Sequence, residues 1–196
     1  MKRRICFLTL AKGKSKRLEN KNIATFAGKP LIHWTILKIK KITKDYYINT
    51  DSKFIENYAK KLKIKTIFRK KSLQGDNIPA RHLMLDSFRY FPKNTYAVVT
   101  VQANSPNLDI SKLLYAYEIL KNTNIEDIRS IKKNREINGS FWGITLKKLK
   151  TYNFDKKKHD HKSLKNECWI VDDSIDIHNM RDLKSAEKKF SKKKLC

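Results

Sequence analysis

Apolar and polar positions follow two different periods along the chain, and short apolar runs of strand length alternate with longer segments of helical period. Runs rich in β-branched and aromatic residues predict strands, whereas apolar residues that recur every three to four positions predict amphipathic helices. The predicted strands are 4–10, 46–50, 64–68, 96–102, 125–131, 141–145 and 168–171. The predicted helices are 31–42, 54–62, 80–90, 110–121 and 180–190. Asp51, Ser52 and Asp109 are predicted helix N-caps because they precede such segments.

This alternation of strands and helices is typical of βαβ units, in which successive strands run parallel. The runs at 5–8 and 97–99 are almost continuously apolar, as expected for strands that helices cover on both faces. The sequence therefore predicts an α/β fold, a three-layer αβα sandwich with a mostly parallel sheet. Residues 1–190 are predicted to form a single domain, followed by a frayed basic tail at 191–196.

Nothing in the sequence predicts a membrane segment or a fold held together by disulfides or zinc. No apolar run reaches the roughly 18 residues that a membrane helix needs. The first apolar run, 5–11, contains Thr9 and leads directly into a lysine-rich stretch, which is unlike a signal peptide. We therefore expect a cytoplasmic protein with no membrane partner. The cysteines are widely spaced and lack a CxxC motif, so we expect neither a disulfide framework nor a zinc site.

Lysine dominates the charge of the chain. The 196 residues include 45 Lys and Arg against 19 Asp and Glu, which gives a formal net charge of +26. Such a charge raises the hypothesis of nucleic-acid binding. However, the lysines spread over nearly every predicted helix, and arginine, which reads bases through paired hydrogen bonds, is sparse. Nucleic acid is therefore an unlikely main partner, and that alternative predicts steeply salt-dependent binding to any duplex.

A basic segment that contains Gly13 and Ser15 follows the first predicted strand. Because ligands of parallel α/β sheets bind beyond the carboxyl ends of the strands, this segment lies where a ligand would bind. A glycine lets the backbone approach a ligand, and nearby cations neutralise phosphate charge. The segment is neither a Walker loop nor a GxGxxG fingerprint. Two interpretations remain open: a phosphate-binding loop, or a charged surface turn in a lysine-rich chain.

The segment at 11–22, AKGKSKRLENKN, is followed at 26–32 by FAGKPLI. Together they resemble the opening signature of the acylneuraminate cytidylyltransferase family, A-R-x-G-S-K-[RG]-[IL]-P-x-K-N and then N-G-K-P-L-I. Further segments resemble the family's motifs in the family's order: NTDS at 49–52, FRKKSLQGD at 68–76, VQANSP at 101–106, NGSFW at 138–142 and SIDIH at 174–178. The resemblance extends over about nine tenths of the chain.

This resemblance implies a fold of the nucleotide-diphospho-sugar transferase type and a Mg²⁺-dependent cytidylyltransferase. The implied reaction couples CTP to the anomeric hydroxyl of a sialic-acid-like (nonulosonic) sugar acid and gives a CMP-sugar and pyrophosphate. The implied partners are CTP and an acidic sugar, and a homodimer is consistent with the family. In-line attack on the α-phosphate chiefly needs a positioned hydroxyl and neutralised charge. By resemblance, the predicted catalytic residues are Lys16, Lys21 and Asp176.

The resemblance also assigns binding residues, with the triphosphate on the loop after the first strand. The predicted nucleotide-binding residues are Ala11, Lys12, Gly13, Ser15, Lys16, Arg17, Lys21, Asn22, Arg69, Asp76 and Ala80. The predicted substrate-binding residues are Gln102, Ser105 and Asn138. The predicted Mg²⁺ ligands are Asp176 and His178. Mg²⁺ keeps several waters in most sites, so one or two carboxylates are sufficient.

Four features depart from the family's pattern. Lys12 replaces an arginine, Glu19 replaces a proline, and His178 replaces the second aspartate of the metal pair, although imidazole is a poor Mg²⁺ ligand. The stretch at 106–138 is shorter than its counterpart in the family, which helps to build the sugar pocket. The alternatives are therefore an active enzyme with an unusual acceptor, a degenerate relative that binds nucleotide or sugar without turnover, and another nucleotidyltransferase of the same fold.

Overall fold

The structure is a computed structural model that describes residues 3–15, 18, 20–75, 77–151 and 166–194, with side chains as far as residue 190 in the last range. Four residues considered above lie outside the described residues: Lys16, Arg17, Glu19 and Asp76. Their predicted roles are therefore carried forward as predictions.

The described part of the chain contains nine strands. In chain order they are β1 (Arg4–Ala11), β2 (Thr25–Phe26), β3 (Lys29–Pro30), β4 (Tyr46–Thr50), β5 (Lys65–Phe68), β6 (Thr95–Val101), β7 (Asp127–Ile131), β8 (Ile137–Thr145) and β9 (Glu167–Val171). The short strands β2 and β3 pair with each other, and the remaining strands form one sheet in the order β5-β4-β1-β6-β8-β7-β9. Every strand predicted from the sequence is present in this sheet.

The helices connect these strands. They are α1 (Leu31–Lys40), α2 (Lys53–Lys61), α3 (Ala80–Ser87), α4 (Ile110–Asn122), α5 (Leu146–Thr151) and α6 (Met180–Lys194). The five predicted helices are all found among the described residues, and α5 was not predicted. A 3-10 turn at Phe88–Tyr90 continues α3, and α6 remains helical as far as Lys194, four residues beyond its predicted end at residue 190. The predicted frayed tail therefore begins as helix.

The sheet is mostly parallel, as predicted. Strands β5, β4, β1 and β6 run parallel to one another, and β7 and β9 also form a parallel pair. Strand β8 is antiparallel to both of its neighbours, β6 and β7. The beginning of β8 therefore lies at the same edge of the sheet as the carboxyl ends of the parallel strands. Loops that follow the parallel strands meet the first residues of β8 at this edge.

Helices cover both faces of the sheet because successive residues of a strand point to opposite faces. In β1, Ile5 and Phe7 pack with the apolar side chains of α1, α2 and α4. Cys6 and Leu8, which alternate with them, pack with Met84 of α3 and Leu149 of α5 on the other face. The two apolar layers on either side of the sheet confirm the predicted αβα sandwich. None of the helices within the described ranges is long and apolar enough to cross a membrane.

A smaller apolar cluster fastens α6 to the β2–β3 hairpin at the carboxyl edge. Phe26, Leu31, Ile177, Leu183 and Ala186 form its buried centre. Ile177 is fully buried there and lies in the segment between β9 and α6. This cluster fixes the backbone of residues 172–178, which run along the edge of the sheet where ligands of this fold class bind.

Candidate functional site

A cleft of about 720 Å³ opens at the carboxyl edge of the sheet, above β1 and β4. Its walls come from the loop after β1, from the residues that follow β4 and from the segment after β5. The lining residues are Lys12, Gly13, Lys14, Ser15, Asn20, Asp51, Ser52, Gln74 and Gly75. Among the predicted nucleotide-binding residues, Lys12, Gly13 and Ser15 therefore lie in one cleft, and Ala11 is buried directly beneath them at the end of β1.

The loop after β1 is held against the end of β4 at Gly13. The Gly13 N–H donates a hydrogen bond of 2.6 Å to Asp51 Oδ1. A Cβ at position 13 would lie 2.8 Å from Cβ of Ser52, closer than side-chain carbons approach. The close contact therefore requires glycine here. Ser52 caps α2 through a 3.4 Å bond from the Ile55 N–H, as predicted, whereas Asp51 holds the loop.

Arg69 lies behind Asp51. Its side chain is buried, its Nε donates to Asn49 Oδ1 at 2.5 Å, and its Nη2 donates to the Asn49 carbonyl at 3.2 Å. The Arg69 Nη1 lies 3.8 Å from Asp51 Oδ2. Burial lowers the pKa of Arg69 and the negative charge of Asp51 opposes that shift. In this structure the guanidinium braces the carboxylate that holds Gly13, and its predicted contact with cytosine or ribose stays a prediction.

The end of the same loop is closed by Asn22. Its buried side-chain amide donates to the Lys12 carbonyl at 2.8 Å, so the two ends of the loop are tied together. Asn20, at φ 52°, starts the 3-10 turn Lys21–Ile23 that carries Asn22. Lys21 lies close enough to Asp176 for its charge to favour the ionised carboxylate. The loop thus connects the cleft with the predicted metal ligands.

Asp176 and His178 lie side by side. Two hydrogen bonds with Asn104 hold the backbone of the intervening Ile177. The Ile177 N–H donates to the Asn104 carbonyl at 2.9 Å, and Asn104 Nδ2 donates to the Ile177 carbonyl at 3.1 Å. His178 Nε2 lies 3.0 Å from Asp176 Oδ2, and Asn104 Nδ2 donates to Asp176 Oδ1. The sequence did not identify Asn104.

Burial is the main influence on the Asp176 carboxyl group and raises its pKa, while His178 and Lys21 act in the opposite direction. Among the described residues, no group of three or more His, Cys, Asp or Glu side chains is arranged to hold a metal ion. A cation at Asp176 and His178 would therefore complete its coordination with phosphate oxygens and water, which is common for nucleotide-bound ions. The pair fits a divalent cation of that kind, with one oxygen and one nitrogen donor.

The family described as Cytidylyltransferase matches residues 6–192. The chain belongs to the cytidylyltransferase family. This membership agrees with the nucleotide-binding fold and with the basic cleft at the carboxyl edge, and it leaves the acceptor and the acylneuraminate subtype open.

Several solved structures share the fold. CMP:2-keto-3-deoxy-manno-octonic acid synthetase complexed with CTP superposes with a TM-score of 0.74 at 10% identity, over 97% of this chain and 99% of that one. A cytidylyltransferase from Leptospira borgpetersenii serovar Hardjo-bovis (strain JB197) gives 0.74 at 15%, over 97% and 87%. Rv0371c from Mycobacterium tuberculosis H37Rv, in complex with manganese, gives 0.68 at 9%, over 94% and 98%. At these identities the likeness shows the fold.

Another pocket of this cytidylyltransferase, of about 210 Å³, lies beside β6 and β8. Its lining residues are Leu10, Ala80, Thr100, Val101, Gln102, Arg129, Ile137, Gly139, Phe141 and Trp142. Ala80 and Gln102, which were assigned to the nucleotide and the sugar respectively, thus line the same pocket. The Gln102 side chain is exposed there. Ser105 is not among the residues that line this pocket, and its buried hydroxyl has no hydrogen-bond partner among the described residues.

Two side chains in the wall of this pocket, Trp142 and Arg129, are bonded to a buried carboxylate. Asp127 is fully buried and accepts a 2.8 Å hydrogen bond from Trp142 Nε1. It also accepts bonds of 3.3 and 3.2 Å from Arg129 Nε and Nη2. These bonds fix the indole ring and the guanidinium in place, so the pocket offers a rigid and largely apolar surface to a ligand.

Asp172, which the sequence did not single out, connects the start of β8 with the segment that follows β9. Its buried carboxylate accepts hydrogen bonds from Asn138 Nδ2 at 2.7 Å, from Ser140 Oγ at 2.5 Å and from Ser174 Oγ. The Asn138 amide group, which was predicted to bind the sugar, is therefore already bonded to Asp172 within the cytidylyltransferase. The NGS and SID motifs contained the donors, but their spacing gave no sign that they meet at one carboxylate.

Proposed function

We propose that the chain transfers CMP from CTP to the anomeric hydroxyl of a sialic-acid-like (nonulosonic) sugar acid and releases pyrophosphate. The observation that carries this proposal is the basic cleft fastened at Gly13 and Asp51. Lys21, at the end of the loop that lines this cleft, lies near enough to Asp176 for its charge to favour the ionised carboxylate. Membership of the cytidylyltransferase family supports CTP as the nucleotide. The likeness to CMP:2-keto-3-deoxy-manno-octonic acid synthetase complexed with CTP supports a sugar acid as the acceptor class.

The cleft suits a triphosphate because it concentrates positive charge and hydrogen-bond donors. Lys12, Lys14 and Ser15 line it, and Lys21 stands at the end of the same loop. In the proposed complex these cations neutralise the triphosphate and stabilise the charge that moves onto the departing pyrophosphate. Lys16 and Arg17, which belong to the same loop, are proposed to add to this charge. Asp76 remains a proposed contact of the ribose or cytosine.

The acceptor is proposed to bind between the cleft and the pocket beside β6 and β8. Its anomeric hydroxyl attacks the α-phosphorus in line, the bond from the α-phosphorus to the bridging oxygen breaks, and pyrophosphate leaves with that oxygen. Gln102 positions the sugar acid at the mouth of the pocket. Asp176 and His178 would hold a divalent cation, Mg²⁺ in the simplest case, which supplies charge neutralisation at the α-phosphate when bound.

A second candidate is a relative that binds CTP without turnover. It is favoured by one observation: both Asp176 oxygens already accept a hydrogen bond or face an ion partner, Asn104 on one side and His178 on the other. A carboxylate engaged in this way has less of its hydrogen-bonding and coordinating capacity left for a ligand. Such a protein would bind CTP and would release no pyrophosphate with any acceptor.

The test is pyrophosphate release from CTP in the presence of a divalent cation and a panel of nonulosonic acids and related sugar acids. Asp176→Ala should abolish release, whereas Asp173→Ala, which removes an exposed carboxylate paired with Lys133 at 3.2 Å, should leave it unchanged. Release with one acceptor identifies the substrate. CTP binding without release supports the second candidate, and the absence of both CTP binding and release would refute the proposed function.

A further inference from the structure

The imidazole of His178 is built into the predicted metal site in a definite place. Its Nε2 lies 3.0 Å from Asp176 Oδ2, and the ring is about half exposed, with 46% of its side-chain surface accessible. The Asp176 side chain is also partly exposed, at 25%, so an ion from solvent can reach both side chains. We propose that His178 makes this site select a divalent transition-metal ion that accepts nitrogen ligands, such as Co²⁺, over Mg²⁺. This inference rests on the proposed nucleotide site and deepens it.

The spacing of the two donors matches one edge of a coordination octahedron. Neighbouring ligands of a six-coordinate ion with bonds of about 2.1 Å are separated by about 3.0 Å. The distance between Nε2 and Oδ2 is 3.0 Å. An ion could therefore bind between these atoms without a large movement of either side chain.

The backbone that carries the pair is fixed on both sides. Asn104 exchanges hydrogen bonds with Ile177, which is buried between Asp176 and His178. Asp182 Oδ2 then accepts bonds from the backbone N–H groups of His178 and Asn179, at 2.9 and 3.2 Å, and so fixes the start of α6. The donor pair is thus held by the fold before an ion arrives, which is a requirement for selectivity between ions.

The chemistry of the donors gives the direction of the preference. Mg²⁺ prefers oxygen ligands and gives up its water reluctantly, whereas imidazole suits transition-metal ions. With aspartate at position 178 the pair would offer oxygens alone. With histidine it offers one oxygen and one nitrogen, and the nitrogen adds affinity for Co²⁺ without a comparable gain for Mg²⁺. The ratio of the two affinities is therefore the quantity that His178 controls.

The experiment measures that ratio by calorimetry. The protein is saturated with α,β-methylene-CTP, which cannot be cleaved at the reacting bond, and is titrated with Co²⁺ and with Mg²⁺. In H178D the preference for Co²⁺ over Mg²⁺ should fall by at least about tenfold, because even a change in a group that only supports a metal ligand typically alters metal affinity by that factor. H82A, which removes an exposed histidine of α3, should retain the preference of the unaltered chain.

Proton NMR of the Co²⁺-loaded protein provides a readout that does not depend on activity. Coordination by His178 should give an exchangeable imidazole N–H proton with a large paramagnetic shift, present in H82A and lost in H178D and H178A. An unchanged affinity ratio in H178D, or a shifted proton that survives in H178A, would overturn the inference. If the CTP analogue does not bind at all, the proposed function fails, and the same Co²⁺ titration without nucleotide still decides whether His178 is a ligand.

Discussion

The backbone N–H of Gly13 donates to the carboxylate of Asp51 at 2.6 Å, so the loop after β1 is fastened to the end of β4. A residue larger than glycine at position 13 could not form this contact, because its Cβ would come within 2.8 Å of Ser52 Cβ. The bond brings the lysines of the loop to the mouth of the cleft. The position of the loop therefore depends on one glycine and one carboxylate.

Gly13→Ala should displace the loop and weaken CTP binding by roughly tenfold to a hundredfold, because small displacements of binding groups are costly. The free energy of unfolding should change by less than about 1 kcal/mol, since the loop lies at the surface. Isothermal titration calorimetry with CTP and urea unfolding measure the two quantities. Ser52→Gly removes the clashing carbon. Because Ser52 also lines the cleft and caps α2, the reference is the Ser52→Gly single variant, in which the added Gly13→Ala change should cost little further CTP affinity; an equally large loss in that background would contradict the steric explanation.

Asp51→Asn should destabilise the protein, because the buried guanidinium of Arg69 would lose the nearby negative charge. Removing one partner of a buried charge pair typically costs more than the pair contributes, and here we expect about 1–3 kcal/mol in the free energy of unfolding. Asp173→Asn breaks an exposed pair with Lys133 and should cost less than about 0.5 kcal/mol. Equal losses in the two variants, measured by urea unfolding, would show that Arg69 does not depend on Asp51.

The fold could be predicted from the sequence because its signals are local. Strand β1 and helix α1 carry apolar patterns long enough to identify their type, and the alternation of such elements favours parallel strands. Helix α5 (Leu146–Thr151) has six residues and too few turns to show a helical period, which explains why it was missed. Its position was fixed by packing of Leu149 against the sheet, which no local pattern reveals.

The candidate site could be predicted only in part, for a related reason. Motif order placed Asp176 and His178 together, and they are adjacent in space. The contacts that position them are between distant segments: Asn104 reaches Asp176 across 72 residues, and Asn138 reaches Asp172 across 34. Such contacts depend on the register of β6 and β8 in the sheet, which sequence spacing does not give.

Gln102→Ala should raise the KM of the acceptor at least about fivefold and leave CTP affinity unchanged, because Gln102 lines the pocket beside β6 and β8 and lies outside the basic cleft. The loss of one hydrogen bond to a charged group accounts for this magnitude. Steady-state pyrophosphate release at varied acceptor concentration gives KM, and calorimetry gives CTP affinity. A parallel loss of CTP affinity would instead place the nucleotide in this pocket, together with Ala80.

Lys38 of α1 gives the protein a pH-dependent stability. Burial lowers the pKa of Lys38 from 10.5 to about 8, while the charges of Asp172 and Asp109 oppose that shift, and its Nζ donates to the Pro106 carbonyl. Between these two pH values the unfolded chain binds more protons than the folded chain. The free energy of unfolding therefore rises with pH in this window, by about 0.5–1 kcal/mol between pH 8 and 9.

Cys6 limits this rise at higher pH. Burial raises the pKa of its thiol from 9.0 to about 11, so the folded chain binds more protons above pH 9 and stability falls with pH through this group. The Lys38 effect is consequently clearest from pH 8 to 9. Urea unfolding across that interval should show the rise in the unaltered chain and in Lys41→Met, whose side chain is exposed at the end of α1. In Lys38→Met the rise should disappear; a rise that persists there would assign it to another group.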